Sequence, residues 1–110
     1  MKVDILGAKY KLKVLPASED PMLESCDGYC DYTIREIVVA QPKIEVDTLK
    51  DIDAHTKRVK RHEIVHAFLY ESGLGADWQH DKNGHDETFV DWIARQAPKM
   101  FKAFEQADAM

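Results

Sequence analysis

The sequence predicts an α+β fold, with a short antiparallel or mixed β-sheet of three to four strands in the N-terminal half. This sheet is expected to pack on one long helix and a second, C-terminal helix. Apolar and polar residues alternate over 3–15, as they do in half-buried strands, and residues 29–40 again have strand character, with Tyr32, Ile34, Ile37, Val38 and Val39. From Thr48 to Ser72 there is no glycine or proline, and apolar residues recur at helical spacing.

Length and composition fit one domain over 1–110, since 110 residues with 45% hydrophobic content support a single core. The net charge is −5, which disfavours a nucleic-acid-binding protein. No apolar run approaches the roughly 18 residues that span a bilayer. Asp4 and the early Gly7 do not fit a secretory signal peptide. We therefore expect a cytoplasmic protein without a membrane or nucleic-acid partner. Its oligomeric state is left open.

The strand half divides at turn-forming residues. Residues 3–15 are either one strand bent at Gly7 or a short hairpin. Residues 16–27 are rich in turn formers and predict a loop. Within 29–40, Thr33–Glu36 is a candidate tight connection, and the strand around 34–40 is a candidate sheet edge on which an extended peptide pairs.

The helical half has clear start and stop signals. Asp47 is a good N-cap, and the helix would run about 25 residues, unless it breaks near 53–56. Gly73 begins a polar loop that reaches residue 84, and a second helix starts near 85 or 86. At Pro98 we expect a kink or a fresh helix.

The long predicted helix carries His62-Glu63-Ile64-Val65-His66, an H-E-x-x-H pattern. On a helix His62 and His66 lie at i and i+4 on one face, where both imidazoles can bind one small cation. Glu63 lies beside them, where a carboxylate can take a proton from a metal-activated water. The alternative interpretation is two solvated histidines on a charged helix, which the basic run at 57–61 favours.

A third metal ligand has to come from further along the chain. Glu87 falls in the first turn of the second helix and would complete a His-His-Glu site with an open fourth position. Asp91, four residues later, could accept the spare N–H of a ligand histidine and fix its ring. The other candidates are His80, Asp81, His85 and Asp86.

H-E-x-x-H followed by Glu87-x-x-x-Asp91 resembles the gluzincin metallopeptidases, and Glu87 follows His66 at a similar spacing. The whole chain is similar to small, often prophage-encoded metallopeptidases of the ImmA/IrrE type, through residues 5–10 and 28–39. The resemblance implies a zincin-like fold, one Zn²⁺ per chain held by His62, His66 and Glu87, and Asp91 in support. It implies hydrolysis of a peptide or protein substrate with Glu63 as general base.

A peptidase also needs a donor to the developing oxyanion. The candidates are Tyr29, Tyr70, His80 and His85, and the sequence does not choose among them. Cys26 and Cys30 are spaced C-x3-C, unlike the C-x2-C of zinc knuckles, so free thiols are expected and a disulfide or metal contact is the alternative.

A second hypothesis is a catalytically weak or inactive zinc-binding interaction module of phage or prophage origin. Its metal would hold two helices together or dock a partner. The presence of Glu63 favours the enzyme, because a purely structural site needs no carboxylate at that position.

Overall fold

The N-terminal half is a four-stranded mixed sheet in the computed structural model, which describes residues 1–42, 50–77 and 87–110. The strands are β1 (Lys2–Ile5), β2 (Ala8–Leu15), β3 (Gly28–Asp31) and β4 (Glu36–Ala40). The sheet order is β1-β2-β4-β3. The pairs β1–β2 and β3–β4 are antiparallel, whereas β2–β4 is parallel.

Both antiparallel pairs are hairpins whose turns are encoded locally. Leu6 and Gly7 adopt φ of 53° and 88°, and the Asp4 carboxylate accepts a hydrogen bond from the Gly7 N–H at 2.8 Å. Positive φ at two successive residues suits a tight hairpin turn. In the second hairpin Arg35 has φ 54°, and Asp31 accepts from the Thr33 N–H. The hairpin alternative at Gly7 and the tight connection over Thr33–Glu36 are thus confirmed.

β4 is an interior strand, so the prediction that 34–40 form a sheet edge is wrong. Ile37, Val38 and Val39 are all essentially inaccessible to solvent. Three consecutive buried apolar residues are typical of a strand that is covered on both faces. The two edges of the sheet in the described residues are β1 and β3.

In the described residues after the sheet there are three α-helices: α1 (Ile52–Glu71), α2 (Leu74–Asp77) and α3 (Glu87–Gln106). The N-cap of α1 is Asp51, whose carboxylate accepts from the Ala54 N–H at 3.0 Å. The predicted N-cap, Asp47, lies outside the described residues. Residues 53–56 are helical, without the break that we considered. No helix in the described part of the chain is long and apolar enough to cross a membrane.

α1 packs its apolar stripe on one face of the sheet. Val59 and Ala67, eight residues apart, lie on the same side of the helix and join the buried side chains of the strands. The core consists of Ile5, Tyr10, Leu12, Ile37, Val39, Val59 and Ala67. The predicted α+β fold, with a sheet packed on the long helix, is therefore confirmed.

A polar clamp fastens the C-terminal end of α1 to the sheet. The buried Tyr10 hydroxyl donates to Glu71 Oε1 at 2.8 Å, and Arg35 Nε donates to the same oxygen at 2.9 Å. The hydroxyl of a fully buried tyrosine needs such a partner. We call Tyr10, Arg35 and Glu71 the tyrosine clamp.

α3 is a single helix that continues through Pro98, so the prediction of a fresh helix there is wrong, whereas a kink stays a prediction. A proline leaves the carbonyl four residues earlier without its helical donor. Here that carbonyl, of Ala94, accepts a hydrogen bond from Arg61 Nε of α1 at 2.6 Å. The contact offsets the missing bond and also ties α3 to α1. Residues 98–110 are all exposed.

Candidate metal centre

His62 and His66 stand one above the other on α1, as their i, i+4 spacing predicts. Their Nε2 atoms are 3.1 Å apart, and the side chains are only 21% and 11% exposed. Together with Glu63 they form a group whose ligand atoms all lie within 4.8 Å of one another. These three residues are therefore close enough to bind a metal ion.

Glu87, in the first turn of α3, reaches both histidines. Its Oε2 is 3.1 Å from Nε2 of His62, and its Oε1 is 3.1 Å from Nε2 of His66. Ligands 2.0–2.1 Å from a tetrahedral zinc ion stand about 3.3 Å apart. Each histidine nitrogen thus lies near a different oxygen of Glu87, at a separation close to that between two ligands of such a site. Glu87 contacts both histidines and is a candidate ligand beside the group of His62, Glu63 and His66.

Asp91 supports this arrangement from the next turn of α3. Its Oδ1 is 3.5 Å from Nδ1 of His62, a long contact, and its Oδ2 accepts from Arg95 Nε at 2.7 Å. The Arg95 hydrogen bond is the main cause that lowers the pKa of Asp91, and His62 adds to the effect. An ionised Asp91 attracts the Nδ1–H of His62 and leaves the lone pair of Nε2 available to a metal ion.

Glu63 is buried, although a glutamate side chain is usually charged and exposed. It lies on the sheet-facing stripe of α1 together with Val59 and Ala67. Only 6% of the residue is exposed. Burial raises the pKa of Glu63 to about 7; the nearby His62 opposes this, and the charge of Glu87 adds to it. A carboxylate with a pKa near neutrality can both take and return a proton.

Gly28, which the sequence analysis did not single out, sets the approach of β3 to α1. A Cβ at this position would lie 3.0 Å from both the Val38 carbonyl oxygen and Val59 Cγ1, and 3.4 Å from Glu63 Cγ. Only a residue without a side chain fits there unless a neighbour moves. Gly28 therefore keeps β3 directly over the Glu63 side chain.

The site opens into a cleft of about 520 Å³ between α1 and β3. Among the lining residues that sequence analysis missed are His55 and Arg58, which precede His62 by seven and four positions. That helical spacing from a candidate ligand is a signal that could have found them. The lining comprises Cys26, Asp27, Gly28, Tyr29, Cys30, His55, Arg58, Val59, His62, Glu63, His66, Tyr70, Glu87 and Asp91.

Of the candidate oxyanion donors, Tyr29 and Tyr70 both line the cleft. The Tyr29 hydroxyl donates to Asp20, and this bond is the main cause that raises the pKa of Tyr29 to about 12. Tyr70 stacks on Tyr32 with ring centroids 4.2 Å apart, which fixes the plane of its ring. The remaining candidates His80 and His85 lie outside the described residues, as do Asp81 and Asp86.

Both cysteines are free and line the cleft. Burial, followed by the charge of Glu63, raises the pKa of Cys30 to about 12, and burial also raises the pKa of Cys26. Both side chains are therefore neutral thiols at physiological pH, which makes them poor nucleophiles.

Comparison of the chain with protein-family models, with curated proteins and with solved structures finds no match. Conclusions about the site therefore depend on the geometry of this chain alone.

Proposed function

We propose that this protein is a zinc-dependent peptidase of the gluzincin type, in which His62, His66 and Glu87 hold the metal. The observation that carries the proposal is the approach of Glu87 to both histidines beside a buried carboxylate: Oε2 lies 3.1 Å from His62 Nε2, and Oε1 lies 3.1 Å from His66 Nε2. Structural zinc sites have four protein ligands, whereas catalytic sites have three and an open position. Here the three ligands border an open cleft.

The donor set favours zinc among the common divalent ions. Two imidazoles and one carboxylate match the His-His-Glu sites of zinc hydrolases. Magnesium and calcium prefer oxygen ligands, which are a minority here. Non-haem iron also uses two histidines and one carboxylate, but such sites do not require a buried proton acceptor like Glu63. One ion per chain is expected.

Glu63 is the proposed general base and acid. When bound, a zinc ion lowers the pKa of a coordinated water and polarises a carbonyl group. The Glu63 carboxylate takes a proton from that water and delivers it to the leaving amine nitrogen. A neighbouring cation favours the ionised form of Glu63, so its pKa falls below about 7 in the loaded site and the base is ready at neutral pH.

Tyr70 is the proposed oxyanion donor among the described residues. It lines the cleft with Glu63 and Glu87, and it follows His66 by one helical turn. Tyr29 also lines the cleft, and its hydroxyl donates to Asp20. A hydroxyl held in place before the reaction stabilises the developing charge without reorganising.

The edge strand β3 supports a peptide as the substrate. One side of β3 pairs with β4, and its residues Gly28–Cys30 line the cleft. An exposed sheet edge offers backbone N–H and C=O groups that can pair with an extended peptide. A substrate paired in this way would lie in the cleft that His62, His66 and Glu87 border.

The second candidate is a zinc-binding interaction module without useful catalysis. It is favoured by the placement of the ligands on two helices, since the ion would link α1 to α3. The exposed half of α3 also carries large apolar side chains that a partner could cover: Met100, Phe101 and Phe104. The buried Glu63 remains unexplained by this function.

Metal content and hydrolysis of a diverse peptide pool, measured together, test the two candidates. The parent should carry about one zinc per chain by elemental analysis, and Glu87→Ala should lose most of it. Glu105→Ala, an exposed glutamate near the other end of α3, is the matched control and should retain the metal.

Glu63→Gln then separates catalysis from metal binding. It should keep the zinc and reduce cleavage by at least about a hundredfold, because the base is lost. If Glu63→Gln cleaves peptides as fast as the parent, the assignment of the base is wrong. If the zinc-loaded parent cleaves nothing in the pool, the interaction module is the better account.

A further inference from the structure

A second cavity, of about 550 Å³, lies beside the metal cleft between the start of α1 and the middle of α3. Its only carboxylate among the described residues is Asp51, which is engaged as the N-cap of α1. We call this cavity the basic groove. Five positively charged side chains line it: Lys50, Arg58, Arg61, Arg95 and Lys99. Such a concentration of positive charge is unexpected in a chain of net charge −5.

Most of this positive charge is not neutralised by the residues that the structure describes. Among the described residues no carboxylate is within ion-pair distance of Lys50, Arg58, Arg61 or Lys99. Arg95 alone has such a partner, in Asp91. Like charges gathered around one cavity repel each other, and an anionic ligand relieves that repulsion.

The basic groove is continuous with the metal cleft. His55 and Arg58 line both cavities, and Asp91 of the cleft is bound to Arg95 of the groove. Along α1, at 1.5 Å per residue, Arg58 and Ala54 precede His62 by about 6 and 12 Å. An extended peptide advances about 3.3 Å per residue, so it passes from the metal into the groove within about two to four residues.

We propose that the basic groove binds a carboxylate-bearing segment of the substrate, about two to four residues from the scissile bond. The inference rests on the proposed peptidase function and specifies its substrates as peptides with Asp or Glu at those positions. A nucleic acid fits less well, because its phosphates follow an extended basic surface and the acidic remainder of this chain repels them.

Peptide binding to the full-length, zinc-loaded Glu63→Gln variant tests the groove without consuming the probe. The probe is a fluorescein-labelled ten-residue peptide of alternating glutamate and alanine, and its counterpart has glutamine in place of glutamate. By fluorescence anisotropy at 50 mM NaCl the acidic peptide should bind at least about tenfold more tightly. The preference should shrink at 300 mM NaCl because salt screens exposed charges. Equal binding of the two peptides would overturn the inference.

A pair of charge-matched double variants shows where the peptide binds. Lys50→Gln with Lys99→Gln should weaken binding of the acidic peptide by roughly three- to tenfold. Lys57→Gln with Lys102→Gln removes the same charge near the same helices from residues that line neither cavity, and it should have no comparable effect. If both double variants weaken binding equally, only net charge matters and the groove is not the site.

A ten-nucleotide single-stranded oligonucleotide competes in the same assay. If it displaces the acidic peptide at lower concentration than unlabelled peptide does, and loses affinity in the Lys50→Gln, Lys99→Gln variant, the ligand is a nucleic acid and the proposal fails.

Failure of the peptidase function gives a different result. If the parent binds the peptide through the groove but does not hydrolyse it, the proposed peptidase function is wrong and the proposal of a carboxylate-binding groove stands. The opposite result is hydrolysis of the glutamate and glutamine peptides with equal kcat/KM, unaltered in the Lys50→Gln, Lys99→Gln variant. The groove proposal is then wrong and the peptidase function stands.

Discussion

The two sides of α1 are held in different ways. Toward the sheet, α1 buries Val59 and Ala67 in an apolar core, and the tyrosine clamp fixes its end through hydrogen bonds within the chain. Toward α3, the contact is dominated by ionisable groups, and α3 itself buries only Val90 and Ala94 among its described side chains. The sheet side is thus held by contacts within the chain, whereas the α3 side brings together ionisable groups that a bound cation would link.

Because of this difference, removal of the metal is the change expected to affect the stability of the protein most. A ligand present at about 1,000 times its Kd stabilises the native state by about 4 kcal/mol. Treating the zinc-loaded protein with a chelator should therefore lower its Tm by 10 °C or more. Hydrogen exchange should locate the loss in α3, while the amides of β2 and β4 stay protected.

The control for this experiment is the Glu87→Ala protein, whose Tm a chelator should hardly change. If the chelator leaves the Tm and the exchange of α3 unaltered in the parent, the α3 side does not depend on metal and the contrast between the two sides is wrong.

Gly28→Ala should affect both the packing of the sheet side and the position of Glu63, because Gly28 of β3 lies against Val59 and Glu63 of α1. The added methyl group is 3.0 Å from the rigid Val38 carbonyl, so β3 must shift. Overpacking of this kind costs about 1–3 kcal/mol. Urea denaturation should show that loss, with zinc content retained and peptide cleavage reduced. Unchanged stability would mean that β3 adjusts freely at this point.

Tyr10→Phe should destabilise the sheet side alone. The change removes the hydrogen bond to the Glu71 carboxylate and leaves the buried ring in place. Hydrogen bonds to charged groups contribute about 1.5–3 kcal/mol, and Arg35 still binds Glu71, so we expect a loss of about 1.5 kcal/mol. Zinc affinity, measured by competition with a chelating dye, should stay the same. A parallel loss of zinc affinity would show that the two sides are coupled.

The features that sequence could predict are those encoded by local spacing. The i, i+4 pair His62 and His66 and the four-residue step from Glu87 to Asp91 need only a helix to align them. The convergence of Glu87 on the histidines follows from the same pattern once α3 packs on α1. The run of three apolar residues Ile37–Val39 is typical of an interior strand, so the sequence contained the information that contradicts the predicted sheet edge.

Features that depend on packing between distant segments were not predicted. The role of Gly28 exists only because β3 lies against α1, and nothing near it in sequence indicates that approach. Zinc as the metal, hydrolysis and a prophage origin stay predictions.

The smallest expected effect is the pH dependence of the tyrosine clamp. The Arg35 hydrogen bond, followed by that of Tyr10, lowers the pKa of Glu71 in the folded protein. A lowered folded pKa stabilises the native state above the unfolded value, about 4.3 for glutamate, and this contribution is lost as the pH falls through the folded pKa. Arg35→Gln removes the main cause, so its stability should decline less steeply than that of the parent below about pH 4.3. The comparison is made by urea denaturation of metal-free protein, because acid would otherwise also release a metal from histidines. Parallel stability curves for the two proteins would show that Arg35, which is half exposed, does not contribute to this pH dependence.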